Sequence, residues 1–166
     1  MSDKQREALP AYIGLGSNLD DPAAQIKCAL DSLATIPDTE VDAQSSLYQS
    51  VPFGPVVQPD FVNAVAKVQT FLDAATLLQH LQGIERSQGR IRGERWGPRI
   101  LDLDLLVFSN QQIDEPTLTV PHPGIAERNF VLLPLQEIAP ELVIPGLGSV
   151  CDLAVNENEP QISRID

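Results

Sequence analysis

The nine residues from Ile100 to Phe108 constrain the fold more than any other stretch, because all but two of them are apolar. A run this short and this apolar predicts a buried strand. The exceptions, Asp102 and Asp104, are two positions apart, so a strand directs both carboxylates to one face, roughly 6.5–7 Å from each other. Two charged carboxylates at the edge of a core need compensation. We expect a divalent cation to supply it.

Basic residues are concentrated immediately before this strand. The chain has a net charge of −12 and 11 lysines and arginines. Five of these lie within fourteen residues, namely Arg86, Arg90, Arg92, Arg95 and Arg99. A solvated loop whose arginines pair with nearby acids is the simpler interpretation. Beside two carboxylates that could hold a metal ion, the cluster favours a polyphosphate that binds together with the metal.

The overall charge and length exclude several classes of protein. An acidic chain lacks the broad basic face that nucleic acid or an anionic membrane requires, so we expect neither as a partner. No window is apolar for long enough to span a bilayer, and the N-terminus has no signal-peptide core. We therefore expect a cytoplasmic protein of 166 residues that folds as one domain, 1–166. Cys28 and Cys151 are expected to be buried and reduced.

The periodicity of apolar residues predicts the element order β-α-β-β-α-β. Strands are predicted at Tyr12–Gly16, Val41–Gln49, Phe61–Phe71 and Ile100–Phe108. Helices are predicted after the N-cap residues Asp21 and Asp73, and Gly89 is expected to close the second helix. This order predicts an α/β (α+β) ferredoxin-like core, in which two helices pack on one face of an antiparallel sheet.

A C-terminal extension is expected to follow this core. Residues 109–111 can turn the fourth strand back on itself. Arg128–Ile138 is expected to be helical but interrupted by Pro134, and Val150–Val155 could form one short helix. The ends, residues 1–10 and 156–166, are expected to be flexible.

Further candidate residues admit both a functional and a structural interpretation. Phe61 and Asn63 share a strand face and could stack on and hydrogen-bond to a flat heterocycle, although packing is the commoner role of such a pair. His122 lies between two prolines and could donate to a phosphate or hold its loop. Trp96 could pack the arginine-rich loop or stack on a base, and the sequence leaves both possibilities open.

Several separated motifs agree on one family. They are residues 12–18 (YIGLGSN), 58–63 (QPDFVN), 84–85 (IE), 89–90 (GR), 95–104 (RWGPRILDLD), 120–123 (VPHP) and 128–132 (RNFVL). In combination they resemble the 6-hydroxymethyl-7,8-dihydropterin pyrophosphokinase family of folate biosynthesis, and the resemblance covers roughly residues 12–142. It implies transfer of pyrophosphate from ATP to the hydroxymethyl oxygen of the pterin, with release of AMP.

The resemblance also implies roles for individual residues. Asp102 and Asp104 would hold two Mg²⁺ ions, and Arg90, Arg92 and Arg99 would complete the catalytic set. The residues implied for ATP binding are Gln82, Glu85, Arg90, Arg92, Trp96, Arg99, His122 and Arg128. Those implied for pterin binding are Ser50, Val51, Phe53, Phe61, Asn63 and Phe130. Mg²⁺ would be the cofactor, and ATP the co-substrate.

Two other functions use part of the same pattern. A Mg²⁺-dependent nucleotidyl transferase or nuclease also carries paired aspartates on a strand, but it needs a basic track that this acidic chain lacks. A non-catalytic module that binds a pterin or a nucleotide would not require the whole set of acids and arginines. We expect the chain to act as a monomer on small molecules.

Overall fold

The structure is a computed structural model that describes residues 7–52, 57–88, 100–155 and 161–165. Its main sheet has six antiparallel strands in the order β10-β3-β4-β1-β5, with β2 beside β4. These strands are β1 (Leu9–Ser17), β2 (Thr39–Gln44), β3 (Tyr48–Ser50), β4 (Phe61–Thr70), β5 (Asp102–Phe108) and β10 (Ile162–Arg164). The structure contains strands at all four predicted places and in the predicted order, which confirms the ferredoxin-like core.

Two helices cover one face of this sheet. They are α1 (Pro22–Leu33) and α2 (Ala74–Ser87), and their apolar stripes pack on the alternate residues of the sheet that face them. Asp21 and Asp73 accept hydrogen bonds from the backbone of Ala24 and Thr76, as N-cap residues do. The predicted helix starts are confirmed, whereas Gly89 lies outside the described residues.

The C-terminal extension builds a second core on the opposite face. Its main element is α3 (Asn129–Ile138), which packs against Tyr12, Val65 and Leu106. The predicted interruption at Pro134 is wrong, because the helix continues through this buried proline. The shorter elements are β6 (Ile113–Glu115), β7 (Leu118–Val120), β8 (Val143–Ile144), β9 (Gly148–Ser149) and 3₁₀ turns at Ile125–Glu127 and Val150–Asp152.

The predicted strand Val41–Gln49 is divided in two. Ser45 donates its N–H to the Val65 carbonyl at 2.8 Å, and its Oγ accepts the Val65 N–H at 2.9 Å. The side chain of Ser45 thus takes the place of one backbone group in the ladder. The pairing with β4 is interrupted there, and β2 and β3 occupy different parts of the same strand edge.

The extension and the ends differ from the expectation in several places. A turn does follow β5 at Ser109, where φ is +51°, but the next strand pairs with β7 and not with β5. The helix expected at Val150–Val155 is a single 3₁₀ turn. Leu9 and Pro10 belong to β1, and Ile162–Arg164 pairs with β3, so these parts of the ends are held in the sheet.

The prediction that the cysteines are buried is also wrong. Cys28 and Cys151 are both exposed, and both are free thiols. Cys28 lies on the outer side of α1, because Ile26, Ala29 and Leu30 form the side that is buried. None of the helices in the described part of the chain is long and apolar enough to cross a membrane.

Candidate active site

Strand register places the two aspartates on one face of the sheet. Asp102 lies opposite Gly16 of β1, and Asp104 lies opposite Gly14. Residues that are paired across neighbouring strands point to the same face. Both carboxylates are partly exposed at this strand end, whereas Leu103 between them is buried in the core under α1 and α2. The prediction that the aspartates project together is confirmed.

The predicted pterin-binding residues of β4 face the same way. Asn63 lies opposite Gly16 from the other side, so Asn63, Gly16 and Asp102 form one row across three strands. Phe61 is two residues before Asn63 and shares its face. Neighbouring strands are about 4.8 Å apart, which places the backbones of Asn63 and Asp102 roughly 10 Å from each other. The sheet thus brings Phe61 and Asn63, the pair predicted to bind a heterocycle, and the two aspartates to opposite sides of one strand.

The Asn63 side chain is held in one orientation. Its Nδ2 donates to the Ser50 Oγ at 2.7 Å, and only 5% of the residue is exposed. In the same segment, the Val51 N–H donates to the carbonyl of Gln161 at 3.0 Å. The Val51 N–H is therefore already used within the chain, while the residue itself is 43% exposed.

Glu85 of α2 makes a hydrogen bond to the backbone of β5, the strand that carries both aspartates. It is 4% exposed, and its Oε2 accepts the backbone N–H of Leu103 at 2.8 Å. Among the described strands β5 lies at the edge of the sheet, so none of them pairs with this N–H. The resemblance implied a nucleotide contact for Glu85, and the structure shows that one of its oxygens serves the backbone. Gln82, one turn earlier, is exposed.

The loop after β7 carries the two other candidates for nucleotide binding. The Gly124 N–H donates to Nδ1 of His122 at 3.0 Å, so the neutral imidazole carries its proton on Nε2. Burial lowers the pKa of His122, and Arg128 acts in the same direction while Asp104 opposes it. The ring is therefore neutral at pH 7, with Nε2–H as a donor near Asp104.

Arg128 and Phe130 form the far side of this loop. The Arg128 side chain lies over Gly124, where a Cβ would come within 2.8 Å of its Nε. Its guanidinium group is 5.9 Å from the centre of the Phe130 ring, in reach of a cation–π interaction. Phe130 is partly buried at the start of α3, against the second core.

The remaining predicted residues, Phe53, Arg90, Arg92, Trp96 and Arg99, lie outside the described residues. Their roles stay predictions. The site that the structure does describe is formed by the face of the sheet around Gly16 and by the loop from His122 to Arg128.

The donor set fits magnesium bound together with a substrate. Within the described ranges, no group of three or more His, Cys, Asp or Glu residues is arranged to hold a metal ion. Mg²⁺ commonly binds through one or two carboxylates and completes its shell with water and substrate phosphates. Asp102 and Asp104 provide such carboxylates, so a polyphosphate substrate would supply part of the coordination.

Comparison with known proteins identifies the family. Residues 12–140 match the model of the 7,8-dihydro-6-hydroxymethylpterin-pyrophosphokinase (HPPK) family. The chain belongs to the HPPK family. The matched range includes the two aspartates, the predicted pterin-binding residues and the His122 loop, so the family assignment and the geometry concern the same part of the molecule.

Curated HPPK relatives support the assignment. A 2-amino-4-hydroxy-6-hydroxymethyldihydropteridine pyrophosphokinase from Haemophilus influenzae is 47% identical over 145 residues, which cover 87% of this chain and 91% of that protein. A relative of the same name from Pseudomonas aeruginosa is 52% identical over 134 residues, which cover 81% and 83%. HPPK enzymes are ATP-dependent pyrophosphokinases, which decides against the nucleotidyl transferase and the non-catalytic module.

A solved HPPK structure shows the same fold. The wild-type Plasmodium falciparum HPPK-DHPS with pterin and p-hydroxybenzoate superposes with a TM-score of 0.69 at 17% identity. The match covers 90% of this chain but 43% of that protein, so this chain corresponds to less than half of it. At this identity the likeness concerns the fold alone.

Sequence reasoning missed the glycines of β1 and the contacts that two of its candidates, Glu85 and Ser50, make in the structure. The available signal for Gly14 and Gly16 was their spacing of two within the predicted strand Tyr12–Gly16. The Leu103 N–H and the Ser50 hydroxyl act through partners that are 18 and 13 residues away along the chain. No local pattern in the sequence indicates such pairings.

Proposed function

We propose that this HPPK transfers pyrophosphate from ATP to 6-hydroxymethyl-7,8-dihydropterin at the face of the sheet that carries Asp102 and Asp104. The hydroxymethyl oxygen loses its proton to solvent and forms a bond to the β-phosphorus. The bond from the β-phosphorus to the α-phosphate oxygen breaks, and AMP leaves. The observation that supports this site most strongly is the row Asn63–Gly16–Asp102, in which the side-chain amide of Asn63 and the carboxylate of Asp102 lie on one face with a single strand between them.

The residues of the chain contribute mainly position and charge. Phosphoryl-type transfer depends on alignment of the reacting atoms and on neutralisation of charge, with little covalent chemistry from the protein. Asn63 and Phe61 would orient the pterin, with Phe130 on its other side. His122 would donate from Nε2–H to a phosphate oxygen, and Arg128 would add a positive charge beside it.

Asp102 and Asp104 would hold Mg²⁺, in agreement with the donor set. Mg²⁺ when bound neutralises charge on the phosphates and acidifies a coordinated hydroxyl. The buried Glu85 keeps the backbone between the two aspartates in place. Arg90, Arg92 and Arg99 would contact phosphate oxygens, and Gln82, Trp96 and Phe53 would complete the substrate contacts. The monomeric state and the cytoplasmic location stay predictions.

The experiment that tests this function compares three matched variants. Asp102→Asn and Asp104→Asn each remove a charge while keeping the shape of the side chain, and Asp114→Asn makes the same change at an exposed position of β6. AMP and the pterin pyrophosphate are measured after incubation with ATP, Mg²⁺ and hydroxymethyldihydropterin. We expect kcat to fall at least about a thousandfold in the first two variants, equivalent to about 4 kcal/mol.

Pterin affinity, measured by fluorescence titration, should stay close to that of the wild type in all three variants. Near-normal turnover of Asp102→Asn or Asp104→Asn would contradict the proposed role of the carboxylates. Failure of the wild type to form AMP when the pterin is present would contradict the function itself.

A further inference from the structure

Gly16 lies at the centre of the site, and its backbone conformation does not require glycine there. Gly14 and Gly16 lie in the last four residues of β1, and neither has a positive φ. Their backbone is therefore one that any residue can adopt. Glycine within a strand weakens the strand and often marks a place where another group approaches the backbone closely.

The space around Gly16 differs from that around Gly14. A Cβ on Gly16 would lie 3.2 Å from the Oδ1 of Asn63, which is tighter than ordinary van der Waals contact. A Cβ on Gly14 would meet the side chain of Leu106 at 3.4–3.6 Å, an ordinary contact. A methyl group is therefore crowded at Gly16 and tolerated at Gly14.

The Asn63 side chain cannot move aside without loss. Only 5% of the residue is exposed, and its Nδ2 donates a hydrogen bond to the Ser50 hydroxyl at 2.7 Å. Among the described residues, this is the one hydrogen bond that the amide group makes. The carbonyl oxygen is thus directed over Gly16, toward the row that ends at Asp102. The Asn63 Oδ1 accepts no hydrogen bond from the described residues, so it is available to a donor from outside the chain.

We propose that Gly16 is a specificity-determining position, at which the absence of a side chain admits the ring edge of the acceptor to the Asn63 oxygen. The class of ligand that fits is a flat heterocycle with N–H donors along one edge and its reactive arm directed toward Asp102. Gly16 contributes space between the two groups and no contact of its own. This inference rests on the proposed function, because it assigns the acceptor to the same face of the sheet.

The test is a pair of identical changes on one strand. Gly16→Ala and Gly14→Ala each add one methyl group to the same face of β1, at neighbouring positions of that face. Binding of 6-hydroxymethylpterin is measured by fluorescence titration without nucleotide, and binding of a non-hydrolysable ATP analogue with Mg²⁺ is measured by calorimetry. Thermal unfolding of both variants is followed as a control for folding.

We expect Gly16→Ala to weaken pterin binding at least about tenfold, which corresponds to a loss of about 1.4 kcal/mol. Its affinity for the nucleotide analogue should change less than about twofold, and Gly14→Ala should bind both ligands within about threefold of the wild type, which is less than about 0.7 kcal/mol. In an Asn63→Ala background, the further change Gly16→Ala should have little effect, because the group that it displaces is absent.

The inference is wrong if Gly16→Ala binds the pterin as the wild type does, or if the two alanine variants lose pterin affinity equally. It is also wrong if Gly16→Ala weakens pterin and nucleotide to the same extent, since that result indicates a general disturbance of the strand. These outcomes are independent of turnover. If the inference fails but the wild type forms AMP normally, the proposed function still holds. If the wild type forms no AMP, the proposed function itself is wrong.

Discussion

The carboxylate of Glu85 accepts the backbone N–H of Leu103 at 2.8 Å, and Leu103 is the residue between the two aspartates. A side chain of α2 thereby fixes the strand from which both carboxylates project. A carboxylate that accepts a backbone N–H makes one of the stronger kinds of hydrogen bond in proteins. Placing such an acceptor on a neighbouring helix gives the exposed edge of β5 a partner that another strand would otherwise provide.

The first prediction concerns this support. Glu85→Ala leaves the buried Leu103 N–H without its acceptor, which costs about 1–3 kcal/mol of the free energy of unfolding. Because Asp102 and Asp104, the proposed metal ligands, lose their fixed backbone, kcat should fall by about one to two orders of magnitude, or about 1.4–2.7 kcal/mol. Glu85→Gln keeps an acceptor oxygen and should lose less of both quantities. Urea unfolding and an AMP assay measure the two effects.

Gln79→Ala, at an exposed position of the same helix, is the control and should change neither quantity appreciably. Equal stability of Glu85→Ala and the wild type would show that the hydrogen bond does not hold the strand.

The second prediction follows from the lowered pKa of His122, which burial causes. Because the pKa in the folded state lies below its unfolded value of about 6.5, the unfolded chain binds more protons just below that pH. The contribution of His122 to the free energy of unfolding is therefore complete above about pH 6.5 and is lost as the pH falls below it. Protonation of Nδ1 would also break the hydrogen bond from Gly124.

Urea unfolding of the wild type and of His122→Gln between pH 8 and pH 5.5 measures this contribution. The free energy of unfolding should fall more steeply with decreasing pH in the wild type than in the variant, and the two curves should run parallel above pH 7. Parallel curves over the whole range would mean that His122 has an ordinary pKa in the folded protein.

Local patterns in the sequence were sufficient for much of the fold. The strict alternation in β4 predicted its two faces, because residues such as Val62 and Ala64 face one core while Val65 faces the other. The N-cap residues Asp21 and Asp73 predicted where two helices begin, since capping depends on neighbours three residues away. The spacing of Asp102 and Asp104 predicted their common direction for the same local reason.

Features that depend on distant parts of the chain were predicted poorly. The division of the second predicted strand depends on the contact between Ser45 and Val65, and the order of the C-terminal end depends on pairing of Ile162 with Ser50. The buried proline in α3 is tolerated because the surrounding core holds the helix, which propensity alone does not reveal. Where such contacts decide the structure, residue types in sequence order carry little information.

The third prediction concerns Tyr48, whose hydroxyl donates to Oε1 of Glu137 at 2.7 Å. Burial is the main cause that raises the pKa of Tyr48, to about 12, and the Glu137 carboxylate adds to it. Burial alone would raise the pKa of Glu137, but hydrogen bonds from Tyr48 and Ser46 and the charge of Arg164 lower it. This cluster ties α3 to β3 and β10.

Tyr48→Phe removes the hydrogen bond and should lower the free energy of unfolding by about 1.5–3 kcal/mol, the range for a bond to a charged group. Tyr12→Phe is the matched control, since Tyr12 is similarly buried but its hydroxyl makes no hydrogen bond within the described part of the chain. Urea unfolding at pH 7 compares the two. A loss that is equal in both variants would mean that the bond to Glu137 adds nothing to stability.

The last prediction assigns a role in pterin binding to the C-terminal strand. Ile162 is 8% exposed and pairs with Ser50, whose hydroxyl accepts the amide of Asn63. Ile162→Asp places a charge in this buried position, so β10 should leave the sheet and β3 should lose one of its two neighbouring strands. We expect the KM for the pterin to rise about tenfold, or 1.4 kcal/mol, with less than about a twofold change in the KM for ATP.

The same change at Ile165, which is 46% exposed just beyond the strand, serves as the control and should leave both KM values unchanged. Steady-state assays at saturating concentrations of the other substrate give the two constants separately. A selective effect on the pterin is expected because Ser50 orients the amide of Asn63, the proposed pterin contact, whereas the described nucleotide candidates lie outside β3 and β10. These candidates are Gln82, Glu85, His122 and Arg128. An equal rise in both KM values, or no rise in either, would show that β10 has no specific role in pterin binding.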